Sequence, residues 1–466
     1  MHKAFIPCLV LTALAMSPDL TGAQGQDAGQ SAGLVWNGSV EQKISGLMTV
    51  WAEAKFNFPF FDRRPGLNWD EKVKEYIPRV IAAHDLAGYY RVLAEFAALL
   101  KDGHTAVNPP GWPFPPGMDK PPVELQAIEG KFVVARVGDT AEVDAQHIGP
   151  GLEVLEIDGT PIAGYLAEHV LRYESRGTKQ ADESIELWHV LDGPKGSVTS
   201  LKVKDLQGAT RTVTLTRDST TRGGSTFQWR FIDWYTAQQP VDARMIGNGV
   251  LYIRLANFGD EKLVGEFEKV FDATRWRAVR GVIVDVRYNP GGDSDVAYAI
   301  VSHFIDRPVK AGIWRSPKYV PAHRGWNFKP EWEEGTTGAE FIRPRAGARY
   351  SGPLVILTGP ATYSAAEDFI VPLHAAGRAV LVGEMTAGST GNPLRVPLPG
   401  GGNFRVVTLD CRYPDGREFV GIGILPDVEV HPTQADVASG HDRVLARALD
   451  VIEAGEVPRL ARVVGG

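Results

Sequence analysis

Cysteine is nearly absent. Two occur in 466 residues, Cys8 and Cys411, and Cys8 lies inside an N-terminal stretch laid out like a cleavable leader. That stretch, MHKAFIPCLVLTALAMSPDLTGAQGQ, has one lysine, an apolar run from Ala4 to Met16 and small residues before Gln24. Cleavage after Ala23 and export to a periplasmic or extracellular space are therefore expected. Cys8 sits early in the run without a good lipobox, which disfavours a lipid anchor. With the leader removed only Cys411 is left, so no disulfide can form within the chain. Cys411 falls in a strand-like run with no nearby histidine and is expected to pack in a core.

Other absences narrow the function. No stretch after the leader is apolar over the length needed to span a bilayer. A basic excess is missing too: the net charge is −7, and no basic run offers a nucleic-acid surface. There is no H-E-x-x-H, no close histidine pair, no phosphate-binding loop of the Walker type and no dinucleotide fingerprint. No metal or other cofactor is expected. The partner expected is a peptide or protein substrate, and the oligomeric state is left open.

What is present fits a soluble globular chain, with 44% hydrophobic and 23% charged residues, long enough for two or three domains. Residues 26–31 read as a polar linker. Helical periodicity follows in Val40–Phe56, Trp69–Ala83 and Leu86–Leu100, a small amphipathic bundle expected to lie against something larger. The third helix runs into Asp102-Gly103-His104-Thr105, where Gly103 reads as a C-cap. A histidine fixed just beyond a helix suits a general base, although a solvated or structural histidine is the commoner case.

Proline-rich Pro109–Pro122 marks a boundary. Short strands are then expected at Phe132–Val137, Leu152–Ile157, Val198–Val203 and Thr210–Leu215, with Asp158-Gly159 as a hairpin turn.

The rest reads as an α/β core. Val250–Leu255 is a strand, and Asp260 caps a helix carrying Leu263, Val264, Phe267, Val270 and Phe271. Gly281–Val286 is apolar on both faces, as in a central parallel strand, and leads through Asn289-Pro290-Gly291-Gly292-Asp293 into another helix. Leu354–Leu357 and Ala379–Val382 flank a third helix that starts near Ser364. Two strand-to-helix corners result, at Asn289–Asp293 and Thr362–Ala365, and ligands bind at such strand ends in open α/β sheets. Both corners expose backbone N–H groups at a helix start, which can hold an oxyanion. Ser364-Ala-Ala-Glu367 is also an ordinary capping box. Its place at a corner raises Ser364 to a candidate nucleophile, while Glu367 is read as its capping partner and Asp285 as structural. Strands at Arg405–Leu409 and Cys411–Tyr413 and a helix over Asp442–Ile452 close the fold. The long insertion Ala322–Tyr350, with Trp326, Phe328 and Trp332, reads as either a cleft wall or a self-packed surface loop.

In order, D-G-H-T, the small β module, VDVRYNPGG, TYSAAE, VGEMTAG and GIGILPDVEV resemble the tail-specific (C-terminal processing) serine proteases. The resemblance implies an α/β, crotonase-related ββα-type core with an N-terminal helical segment and a PDZ-like β module, in which an extended peptide adds as a strand. The implied divisions are a signal peptide at 1–23, a helical domain at 24–112, the PDZ-like domain at 113–220 and the protease core at 221–466. The family's usual lysine base in T-x-G-K-G is missing, because the chain reads Thr386-Ala387-Gly388-Ser389-Thr390-Gly391. This points to the tricorn-core-like branch, where a Ser-His pair is supported by a glutamate and a second serine. Carried over, Ser364 is the nucleophile, His104 the general base and Glu418 the orienting carboxylate; Gly291, Gly292 and Ala365 supply the oxyanion hole. The branch's second serine precedes its histidine, and here that position is Gly103. The implied activity is serine endopeptidase action on peptides or unfolded proteins through an acyl-enzyme. A non-catalytic binder of peptides or apolar ligands on the same scaffold, or a hydrolase of small esters and amides, are the competing expectations.

Overall fold

The computed structural model describes residues 36, 38–111, 117–185, 187, 189–221, 224–225, 229–230, 239–272, 279–329, 331–347 and 349–457. The expected leader and the linker at 26–31 lie outside them.

Three helices come first: α1 (Val40–Asn57), α2 (Trp69–Ile81) and α3 (Leu86–Ala98), capped by Ser39, Asn68 and Asp85. Their apolar faces meet through Leu47, Val50, Val73, Leu93 and Phe96, with Trp69 stacked on Phe96 at 4.1 Å between ring centroids. These residues share one continuous core with Phe404 and Val406 of the later chain. The bundle is thus a layer on the larger body, as its amphipathic pattern predicts. Gly103 does not end α3. The left-handed residue after the helix is Lys101, at φ 48°, and Gly103 is glycine for another reason, given below.

Residues 106–108 form β1 (Ala106–Asn108), which pairs antiparallel with Asn403–Val406. The β module follows, with β2 (Val123–Ile128), β3 (Lys131–Gly138), β4 (Glu153–Ile157), β5 (Val198–Lys204) and β6 (Thr210–Thr216) in an antiparallel sheet ordered as numbered. All four expected strands are there. The turn at Asp158-Gly159 has both residues at positive φ (49° and 79°), as a two-residue hairpin turn requires. The module has its own apolar core, from Val123 and Leu125 to Val213 and Leu215.

The central sheet comprises β7 (Val241–Ile246), β8 (Val250–Leu255), β9 (Gly281–Asp285), β10 (Leu354–Thr358), β11 (Val380–Gly383) and β12 (Val428–Glu429), side by side in that order. Only β7 runs antiparallel to its neighbour; β8 to β12 are parallel. Every residue of β9, β10 and β11 is buried, the reason they read as unbroken apolar runs. The crossovers are α4 (Lys262–Asp272), α5 (Ser294–Val301) and α6 (Ala365–Ala375), and α7 (Arg443–Glu453) closes the other face. There Val444, Ala448 and Val451 pack on Tyr252, Ile283, Val355 and Leu357. Arg287, at the end of β9, is wholly buried and binds both Asp285 (2.6 Å) and Asp442 at the start of α7 (2.8 Å).

The insertion divides between its two readings. Trp326 and Phe328 stand exposed and meet each other and His323 at tilted angles. Glu331–Thr336 pairs antiparallel with Ile313–Lys318, and that hairpin brings Thr336, Thr337 and Gly338 to the wall of a cleft.

Candidate active site

The two corners meet. Asn289 is fully buried; its side-chain amide donates to Leu255 O (3.0 Å), its Oδ1 accepts from Gly291 N (2.9 Å), and its carbonyl accepts from Tyr363 N (3.0 Å). One side chain thereby ties the end of β8 to the Gly-Gly corner, and its backbone ties that corner to the one before α6. Thr362 adds a clamp, its hydroxyl donating to Val286 O and accepting from Gly359 N.

At the start of α6, Ser364 sits at φ 59°, ψ −127°. A non-glycine residue rarely adopts this conformation, which costs on the order of 1–3 kcal/mol and persists only where the surroundings enforce it. Here Ser364 N is held by Ser389 O at 2.9 Å. The conformation aims the side chain away from the helix, so Ser364 makes no side-chain cap. Its Oγ lies 3.0 Å from His104 Nε2 instead. The capping-box expectation for Glu367 fails with it. Glu367 is buried and accepts from Gly388 N and Ser389 N, each at 2.8 Å, and from the Thr386 hydroxyl. Burial pushes this carboxyl up to about 7, against the pull of those three donors.

His104 is 4% exposed, with its ring parallel to that of Tyr363 at 4.7 Å. Its backbone N–H goes to Asp102 Oδ1 at 2.9 Å, which also accepts from the Thr105 hydroxyl. Nδ1 lies 2.8 Å from Ser389 Oγ. The chain of bonds beyond accommodates the productive tautomer. Gly103 O can only accept, so Tyr363 Oη donates to it, and Ser389 Oγ has Tyr363 Oη as an acceptor at 3.4 Å. In that arrangement a lone pair of Ser389 faces Nδ1, which carries the ring proton, and Nε2 presents its lone pair to the Ser364 hydroxyl. Desolvation, with Arg405, Arg176 and Arg395 nearby, holds His104 well below the usual histidine range, so the ring is neutral at pH 7. A neutral imidazole against a serine hydroxyl at a helix start is the pairing needed to activate a nucleophile.

Ser389 was not singled out in the sequence. It occupies the T-x-G-K position where the expected lysine is missing, and that was the available signal. Gly103 is its counterpart: a Cβ there would stand 2.7 Å from Ser389 Oγ and 2.8 Å from Tyr363 Oη. A hydroxyl reaches the histidine from the later loop rather than from the preceding residue, and glycine makes room for it.

Two of the six predicted site residues make contacts other than those expected. Glu418 does not reach His104; its carboxylate pairs with Arg412 at 2.5 Å and Arg63 at 3.5 Å and is 40% exposed. Those cations sit around the buried Asp410, and they draw Glu418 to that cluster. Gly291 N is given to Asn289 and is not free for an oxyanion. Its role is close approach, since a Cβ there (φ 89°) would lie 2.6 Å from Ser364 Cβ. Gly292 N and Ala365 N have no acceptor among the described residues. Gly292 and Ser364 both line a cleft of about 750 Å³ with Trp314, Asp368, Leu409 and Cys411. Cys411 is 3% exposed, and burial pushes its thiol well up. It packs as expected.

The profile of Peptidase family S41 matches residues 249–430. The carboxyl-terminal-processing protease of Picosynechococcus is 26% identical over 408 residues, covering 83% of each chain. CtpB of Bacillus subtilis, a carboxy-terminal processing protease, is 21% identical over 66% of this chain and 54% of its own length. Among solved structures, mature CPAF complexed with lactacystin superposes with a TM-score of 0.70 at 18% identity, over 91% of this chain and 99% of that one. The photosystem II D1 C-terminal processing protease does so at 0.50 and 18%, over 91% and 97%. The architecture is thus the mixed α/β fold of these proteases. No helix among the described residues is long and apolar enough to cross a membrane.

Proposed function

We propose, from the premise that this chain is a serine-type peptidase with a family S41 domain at residues 249–430, that it is an exported endopeptidase acting on peptides or unfolded proteins through Ser364 and His104. The observation that carries this reading is the 3.0 Å approach of Ser364 Oγ to a buried, neutral imidazole. In the proposed cycle Nε2 takes the Ser364 proton as Oγ attacks the scissile carbonyl. The tetrahedral oxyanion rests on Gly292 N–H and Ala365 N–H, each such donor being worth on the order of 3 kcal/mol. His104 then returns the proton to the leaving amine, and water repeats the sequence on the acyl-enzyme. Ser389 takes the place assigned to Glu418: it orients the ring and fixes its tautomer, without a carboxylate's charge to favour the imidazolium.

The β module, proposed here as PDZ-like, would present an extended substrate strand to the cleft of a crotonase-related core. The same reading carries the divisions 24–112, 113–220 and 221–466 and the export signal at 1–23. Support for docking between module and core comes from Thr178 and Gln180, whose side chains donate to the carbonyls of Ala387 and Thr386 beside Ser389.

The test is labelling of purified protein with a fluorophosphonate probe, with the modified residue mapped. Modification at Ser364 that disappears in His104→Ala, together with loss of peptide hydrolysis in a folded Ser364→Ala, is the expected result. A folded protein that resists the probe would instead favour a binding protein on this scaffold.

A further inference from the structure

The cleft beside Ser364 is lined by three carboxylates, Asp293, Asp295 and Asp368, and, among the described residues, by no lysine, arginine or histidine. Asp368 differs from the other two. It lies in the first turn of α6, lines the same cleft as Ser364, and is 6% exposed. Its Oδ2 accepts from the Ser294 hydroxyl at 2.7 Å and the Thr390 hydroxyl at 3.2 Å. Its Oδ1 accepts no hydrogen bond among the described residues, and it is not a sealed, solvent-free atom. Three other buried carboxylates have cations: Asp285 has Arg287, Glu124 has Arg136 and Lys120, and Asp410 has Arg63, Arg315 and Arg412; Glu367, which has none, uses both of its oxygens on Thr386, Gly388 and Ser389. Asp368 has only hydroxyls. Burial pushes its carboxyl up to about 6, with Ser294 and Thr390 opposing. An anion without a counter-charge is costly in such a place, and a cation supplied from the cleft relieves that cost.

Resting on the peptidase reading above, we propose that Asp368 is the specificity determinant of a subsite for a basic side chain, lysine or arginine, flanking the scissile bond. The free Oδ1 pairs with the ammonium or guanidinium. Asp293 and Asp295 at the rim add field of the same sign. Trp314 and Leu409 cover the aliphatic stem, which long basic side chains bury while the charge is paired.

The experiment has two stages, so that the two readings fail separately. Wild-type protein is first treated with the fluorophosphonate probe; no modification at Ser364 brings down the peptidase reading and this one with it. Once modification at Ser364 is shown, fresh unlabelled protein digests a defined peptide library and the cuts are mapped by mass spectrometry. Lysine or arginine should dominate one position next to the cut. Asp368→Asn, which keeps the shape and an acceptor for Ser294 and Thr390, should lower the kcat/KM ratio of an arginine peptide over its leucine counterpart roughly tenfold or more. A measurement that needs no variant guards against misfolding: benzamidine should slow labelling of wild-type Ser364, and neutral benzamide should not. Cuts without a basic preference, a ratio unchanged in Asp368→Asn, or equal protection by benzamide would each overturn the proposal.

Discussion

At the scale of single residues, the histidine is served by a hydroxyl where a carboxylate was expected. If Ser389 fixes the tautomer of His104, Ser389→Ala should lower kcat by roughly 10²-fold with little change in KM, because the ring loses its orientation and not the substrate its contacts. Steady-state kinetics on one peptide substrate decide this, and an unchanged kcat would remove Ser389 from the mechanism. Ser364 and His104, which the fold brings to 3.0 Å, drew notice in the sequence because each stands at a local landmark, a helix start and a helix exit, and the family resemblance paired them. Glu418 was misplaced because a carboxylate's partner is set by where cations lie in space, and Arg63 comes from 355 positions earlier in the chain. Ser389 was visible only as the absence of a lysine. Nothing in the local sequence says that Gly103 leaves the space Ser389 fills.

At the scale of elements, the proposed chemistry falls on the two corners, and both depend on close backbone approach. Gly291→Ala would place a Cβ 2.6 Å from Tyr363 O and 2.7 Å from Ala365 N, at a residue already at φ 89°. The turn must shift, so labelling of Ser364 should slow by roughly 10²-fold or more. Thermal unfolding of the same variant separates displacement of the corner from general unfolding. The 386–389 loop is held by Glu367, whose folded-state carboxyl lies at about 7 against an ordinary 4.5. A raised carboxyl means that the folded state binds more protons between those values. Its contribution is complete below about 4.5 and is lost as pH rises through 7, a swing of about 3 kcal/mol at most. Glu367→Gln should therefore flatten the fall in stability between pH 5 and pH 8, measured by urea unfolding at several pH values. An equal slope in both proteins would contradict the assignment. The strands and crossover helices themselves were legible almost to the residue, since their burial on both faces leaves an apolar signature. The capping box was misread because an S-x-x-E tetrapeptide looks the same whether the serine turns towards its helix or away from it.

At the scale of the whole molecule, the sheet is fastened to the last helix by Arg287, which bridges Asp285 at the end of β9 to Asp442 at the start of α7. Arg287→Met should destabilise the protein by about 3–5 kcal/mol, because Asp285 would be left buried and uncompensated. Chemical denaturation measures it directly. Long-range ties of this kind are invisible in sequence, whereas the succession of bundle, β module and core was read from periodicity and proline placement. The pairing of His104 with Ser364 joins positions 260 residues apart, and that with Ser389 spans 285. An emerging polypeptide therefore holds its imidazole for most of its synthesis with no serine to act on, and its serine arrives before the loop that will steady the ring. The proposed cutting site exists only once these distant segments have folded against one another.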